Sequence, residues 1–172
     1  GSEMSASAVL TNTEAGIKKG TGGDYIRPLF SILNPELTYS VSPYQTACGI
    51  SDIMAHTMER YFYPSEDTPL TDRIALALLK SVVEAGKVVM KEPENYEARA
   101  NIMWAGMLAH NNCCGVGREQ DWASHDLEHE LSALYDCAHG AGLAVVFPAW
   151  MEYNMGHDVM RFAQVANRVW GC

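Results

Sequence analysis

Basic residues are scarce in this chain. Its 172 residues include 12 Lys and Arg against 21 Asp and Glu, giving a net charge of −9 and a pI near 5. That deficit argues against nucleic acid or an anionic membrane as a partner, because both are reached through clustered cations. Long apolar runs are missing as well: none approaches the ~20 residues of a membrane span, and no signal peptide is visible. Cysteines are few and badly spaced for pairing. Cys48, Cys113, Cys114, Cys137 and Cys172 are odd in number, two are adjacent, and none forms a C-x-x-C pair. Neither a disulfide framework nor a thiolate zinc site is expected, and a reducing cytoplasm is the expected location. There is no internal repeat and no low-complexity segment.

What is present suits one domain with a real core, since 48% of the residues are apolar. Residues 1–42 read as extended: "SAVLTNT" is β-prone, "GTGGDY" reads as a hairpin turn, and Pro28, Pro35 and Pro43 punctuate a stretch suited to edge strands and turns. The period then changes. Ser42-Pro43 is a capping residue followed by proline, and predicts a helix running to about Tyr61. "YPSEDTP" reads as a loop, and "LTDRIALALLKSVVEAGKVVM" as a helix with a weak point at Gly86. A further helix restarts after Pro93, and "CCGVGREQ" is a loop. "DWASHDLEHELSALYDCA" predicts a helix capped by Asp121 or Ser124. "GAGLAVVFPAWMEYNM" predicts one interrupted at Pro148, and "HDVMRFAQVANRVW" the last. The expected architecture is mainly α, a helical bundle behind a short β-containing lead.

Three of the six histidines fall in "SHDLEHELSALYDCAHG", between Ser124 and Gly140. His125 and His129 are four apart and share a helix face. Asp52 and His56 are four apart on an earlier predicted helix, among the apolar Ile50, Ile53 and Met54. A carboxylate set in apolar surroundings needs a partner, which is either a hydrogen-bonded histidine one turn away or a metal ion. Together the helices offer one carboxylate and up to three imidazoles, and nitrogen and oxygen donors without thiolate suit Fe²⁺ or Zn²⁺. Spacing does not choose among the histidines, and leaves His129, His110 and His157 open.

The combination D-x-x-x-H with H-x-x-x-H-x₉-H, carried by "NPELTYSVSPYQTACGISDIMAHTMERY" and "QDWASHDLEHELSALYDCAHGAGLAVVFPAWM", resembles the iron-containing (group III) alcohol dehydrogenases. The similarity is to their butanol dehydrogenase and aldehyde reductase branch, and it covers essentially the whole chain. It implies that Asp52, His56, His125 and His139 are metal ligands and that His129 faces the substrate without ligating. It implies nicotinamide-cofactor contacts at Lys18 and Leu37, and sets Ser5 where some relatives have Asn. The family is more than twice as long, and its G-G-G-S pyrophosphate loop has no counterpart here, so the chain reads as an internal fragment. Residues 1–42 would be the last strands of a nucleotide-binding domain. Residues 43–172 would be part of an α-helical metal-binding domain of the dehydroquinate synthase-like type.

The chemistry the resemblance implies is hydride transfer between a primary alcohol or aldehyde and NAD(H) or NADP(H), assisted by Fe²⁺ or Zn²⁺, with His129 passing a proton. The fragment alone is expected to be inactive, and the parent a homo-oligomer, with a dimer favoured. A metal-dependent lyase of related fold and a non-catalytic helical metal-binding module are the rival readings. Trp122, Tyr135, Phe147 and Trp150 are candidates to wall an apolar pocket, with ordinary packing favoured for at least half of them.

Overall fold

Ser42 opens the first helix. Its Oγ accepts a hydrogen bond from the Gln45 N–H at 3.2 Å, and Pro43 fills the first turn, so a satisfied donor and a pre-set φ both favour a start here. The computed structural model describes residues 3–63 and 68–172. Its helices are α1 (Pro43–Tyr61), α2 (Pro69–Val89), α3 (Tyr96–His110), α4 (Ala123–Tyr135), α5 (His139–Asn154) and α6 (Val159–Val165). The last runs on into a wider turn over Ala166–Trp170. α1 lies at the centre and packs against α2, α3 and α5, while α4 packs on α5. The core forms where these faces meet: Tyr61 of α1, Leu79 and Val82 of α2 and Leu143 of α5 are all fully buried in one cluster. Burial of these faces, more than local propensity, holds the helices. The mainly α expectation is met. The expected loop "YPSEDTP" falls largely outside the described residues.

Several local expectations change. The hairpin is β1 (Ser7–Asn12) against β2 (Ile17–Gly22), antiparallel, with Ser7 opposite Gly22 and Asn12 opposite Ile17. The turn therefore lies at 13–16, and "GTGG" is strand and strand end. Asn12 Oδ1 accepts the Ala15 N–H at 3.0 Å and Gly16 takes φ 63°, which turns the chain within the four residues after the "SAVLTN" strand. No strand forms over 27–42 among the described residues. Its prolines remove ladder donors, and the stretch makes a short 3-10 turn at Pro35–Thr38, capped by Asn34. Gly86 does not weaken α2. A Cβ there would meet Ile50 Cδ1 at 3.3 Å, so the glycine lets α1 and α2 approach. α4 starts at Ala123, whose N–H is taken by Asp121 Oδ1 at 2.9 Å, whereas Ser124 is inside the helix and buried. α5 begins at His139 and is not interrupted by Pro148. Pro148 and Ala144, whose carbonyl it leaves without a helical donor, are both on the exposed side, where water can take the freed acceptor.

One ion-pair knot ties the helix ends beneath the site. Asp72, in the first turn of α2, accepts from Arg161 at 2.7 and 3.3 Å and from Arg118. The same arginines donate to the Tyr61 and Arg60 carbonyls at the end of α1, at 2.8 and 3.1 Å. Burial raises the Asp72 pKa, but the two guanidiniums outweigh it and hold the carboxyl below its usual range. A depressed carboxylate contributes stability that is complete above its unfolded value of about 3.9 and is lost as pH falls through the native value. Asp72→Asn should cost about 1.5–3 kcal/mol at neutral pH. Denaturant unfolding would show this as a lower midpoint, with the gap to the wild type narrowing below about pH 4. An unchanged midpoint at pH 7 would show that the knot is not stabilising.

Candidate metal centre

Asp52 and His56 stand one turn apart on α1, His125 and His129 one turn apart on α4, and His139 is the first residue of α5. Packing of α1 and α4 against α5 brings all five into the wall of one cavity of about 560 Å³. The Nε2 atoms of His56, His125 and His139 lie 3.5, 3.5 and 3.6 Å from Asp52 Oδ1, and His56 Nε2 is 3.2 Å from His125 Nε2. Asp52 Oδ1 is nonetheless buried without a hydrogen-bond partner. Four donors about a centre with bonds of ~2.1 Å would stand about 3.4 Å apart. An orphaned carboxylate oxygen ringed by nitrogens at that spacing therefore fits a divalent ion. Asp52, His56 and His125 form the tighter set, and His139 joins it through Asp52.

Two further residues complete the arrangement, and the sequence reading missed both. Glu59 of α1 meets His125 Nδ1 through Oε2 and accepts the His125 backbone N–H through Oε1 at 3.1 Å. Glu128 of α4 meets His139 Nδ1 through Oε2. Both carboxylates are buried, with relative exposures of 1% and 0%. A carboxylate that takes the Nδ1–H leaves the Nε2 lone pair free and fixes the ring. The signal available in the sequence was a Glu three residues after a His in both cases, His56 to Glu59 and His125 to Glu128. Each Glu then meets a histidine of another helix rather than its own.

The electrostatics follow from this crowding. Burial raises Asp52, but polar contact with His125 and the neighbouring imidazoles bring it down to about 2. Burial, then the nearby His110, push His56 down to about 2. Burial alone would lower His125, but its contacts with Asp52 and Glu59 carry it up to about 9. His129 is lowered by burial and then by His139 and Lys18. His56 and His129 are thus neutral at pH 7, and neutral imidazole is the form that ligates or accepts a proton.

The histidines left open by spacing now separate. His110, at the end of α3, sets its ring 3.9 Å from that of His56, tilted by 46°, and lines the cavity. His157 is exposed in the turn before α6 and takes no part. His129 lines the cavity with its ring 5.2 Å from that of His139. Of the four candidate aromatics only Trp122 lines it, with the Arg60 guanidinium 4.6 Å above its ring. Phe147 is core, Trp150 packs partly against that core, and Tyr135 is 74% exposed. Ser5 is buried and also lines the cavity. Lys18 does not reach the cluster: its Nζ donates to Ser132 Oγ at 2.7 Å, pinning β2 to α4. Leu37 is 77% exposed and lines a separate cavity of about 490 Å³, which shares Asp52 and His110 with the first.

Fold and site together define a helical domain carrying a carboxylate–histidine centre in the wall of an open cavity. Residues 46–172 match the model of the Fe-containing alcohol dehydrogenase family, C-terminal, and the chain belongs to that family. It is 46% identical over 172 residues to NADH-dependent butanol dehydrogenase A of Clostridium acetobutylicum, covering 99% of this chain and 44% of that protein. It is 39% identical over 170 residues to the NADPH-dependent aldehyde reductase YqhD of Escherichia coli, again covering 99% of this chain and 44% of that protein. Among solved structures, NADH-dependent butanol dehydrogenase A from Thermotoga maritima superposes with a TM-score of 0.95 at 37% identity, over 99% of this chain and 43% of that one. The chain thus spans less than half the length of these relatives.

Proposed function

We propose that the chain is the metal-holding portion of an NAD(P)-linked alcohol dehydrogenase or aldehyde reductase acting on primary alcohols and their aldehydes. The observation that carries this is the convergence of three Nε2 atoms on the partnerless Asp52 Oδ1. Asp52, His56, His125 and His139 hold the ion, Fe²⁺ or Zn²⁺. When bound, the ion supplies Lewis-acid polarisation of the substrate oxygen, and the nicotinamide supplies the two-electron chemistry. Residues 1–42 belong to the nucleotide-binding side and 43–172 to the metal side. Lys18 and Leu37 belong to the cofactor contacts, and the 172-residue chain alone does not turn over. The exposure of Tyr25, Leu29, Phe30 and Ile32 supports this division, because so large an apolar surface on one short segment suits a face that the rest of the enzyme covers.

His129 suits a proton carrier. It lines the cavity one turn from a ligand, is half-buried, and so stands between the centre and solvent. Trp122 and Arg60 give the cavity an apolar wall backed by a fixed charge, which orients a small substrate.

Two measurements check this reading. Protein purified without air should hold about one equivalent of iron or zinc, lost in Asp52→Ala/His139→Ala. Metal retained undiminished in that variant would refute the ligand set. In the full-length enzyme, His129→Ala should lower nicotinamide-linked turnover by about 10²-fold or more and change its pH profile. Unchanged turnover across pH would remove the proton role, and metal binding without any nicotinamide turnover would favour a non-catalytic module.

A further inference from the structure

α5 enters the site through "HGAG", and its two glycines meet different neighbours. A Cβ on Gly140 would run into the backbone of Cys48 on α1, with the Cys48 Cα at 2.7 Å. That is a close approach of two helices, and backbone cannot give way. A Cβ on Gly142 would instead meet the Glu128 side chain, at 2.5 Å from Oε1, 2.6 Å from Cγ and 3.0 Å from Cδ. Gly142 itself is buried, and Glu128 is fully buried with Oε1 lacking any hydrogen-bond partner. The carboxylate is therefore held by shape on one side and by His139 Nδ1 on the other.

We propose that Gly142 and Glu128 are a coupled pair of positioning residues for the metal centre: the bare α-carbon of Gly142 makes the slot in which the Glu128 carboxylate sits, and that carboxylate fixes the ring and tautomer of His139. The inference rests on the metal reading above. It adds a residue that touches neither metal nor substrate and acts through two intermediates. Charge contributes as well as shape. A buried carboxylate against Nδ1 holds the proton there and leaves Nε2 directed at Asp52, 3.6 Å away. His56 makes an instructive contrast, because its Nδ1 is buried with no partner, so only two of the three imidazoles are carboxylate-backed.

A double-mutant cycle on metal affinity tests the coupling. Competition titrations with Zn²⁺ and Co²⁺ would be run on the wild-type chain, E128Q, E128A, G142A and E128A/G142A, with circular dichroism to check the fold. Glu128→Ala and Gly142→Ala should each weaken binding by about 10–100-fold. Gln at 128 keeps the volume and one acceptor, and should fall between Ala and the wild type. In the double variant Gly142→Ala should cost nothing further, because the side chain it displaces is gone. Nitrogen-15 NMR of the metal-free chain gives a readout that packing damage elsewhere would not move. His139 should be the Nδ1–H tautomer in the wild type, and should lose that preference in E128A and G142A. If G142A binds metal like the wild type, or adds its full loss on top of E128A, the coupling is wrong. If E128Q and E128A both bind like the wild type, the role of Glu128 is wrong. Wild-type protein that binds no metal would overturn the metal reading and this inference together, whereas tight wild-type binding with indifferent variants would overturn this inference alone.

Discussion

Asp52 Oδ1 is buried, carries charge at neutral pH, and has no hydrogen bond. A lone carboxylate in that position costs several kcal/mol unless something compensates it. Three imidazoles on three separate helices stand around it, each with Nε2 3.5–3.6 Å from the same oxygen, and His125, whose pKa is carried up to about 9 by Asp52 and Glu59, brings the compensating positive charge. That constraint fixes the relative position of α1, α4 and α5. No two of these helices can slide by a turn without removing a nitrogen from the set, because one helical turn moves a side chain by about 5.4 Å. The bundle is therefore organised around a polar centre as much as around Tyr61, Leu79, Val82 and Leu143.

The polar centre has depth. Beyond the imidazoles stand Glu59 and Glu128, both fully buried, and each serves a histidine that belongs to another helix. A contact between α1 and α4 and a contact between α4 and α5 are thereby written in the same carboxylate–imidazole chemistry. Three carboxylates and three imidazoles in one partly buried cluster repel and attract in a balance that a divalent cation would shift toward attraction. His125 stands between Asp52 and Glu59, and against the effect of burial these two carboxylates carry it up to about 9. The protein is built to hold charge there, and the ligand chemistry follows from which charge is available.

How much of this was legible in the sequence depends on the range of the interaction. The helices were legible from local chemistry. Ser42-Pro43 caps α1, Asn95 caps α3 through its contact with Ala98, and both act within three residues. The i, i+4 pairs at Asp52–His56 and His125–His129 were legible for the same reason, since one helix turn sets them on one face. The tighter grouping of Asp52 and His125, from different helices, was reached only through resemblance to a family. One local feature was misread, and so were others decided by partners distant in sequence. "GTGG" carries more glycine than "NTEAG" and so looked like the turn, but the Asn12 side chain and a left-handed Gly16 settle it in the four residues directly after β1. Pro148 looked like a break, yet α5 packs on α1 and α4 and the proline falls on its exposed side. Gly86 looked weak when it is an approach point for Ile50.

Glu59 and Glu128 are the sharpest case of what local pattern cannot supply. On a helical wheel each is an ordinary acidic residue three positions after a histidine, and the expected place for such a residue is the solvated face. Their burial becomes intelligible only when the receiving histidine is identified, and that histidine lies 66 residues away for Glu59 and 11 for Glu128. The order Asp52, His56, Glu59 on α1 and His125, Glu128 on α4 thus gives each of these helices residues in the cavity wall and a carboxylate that meets a histidine of another helix. His139 stands at the start of α5, followed by the glycines that admit α1 and Glu128 to its sides.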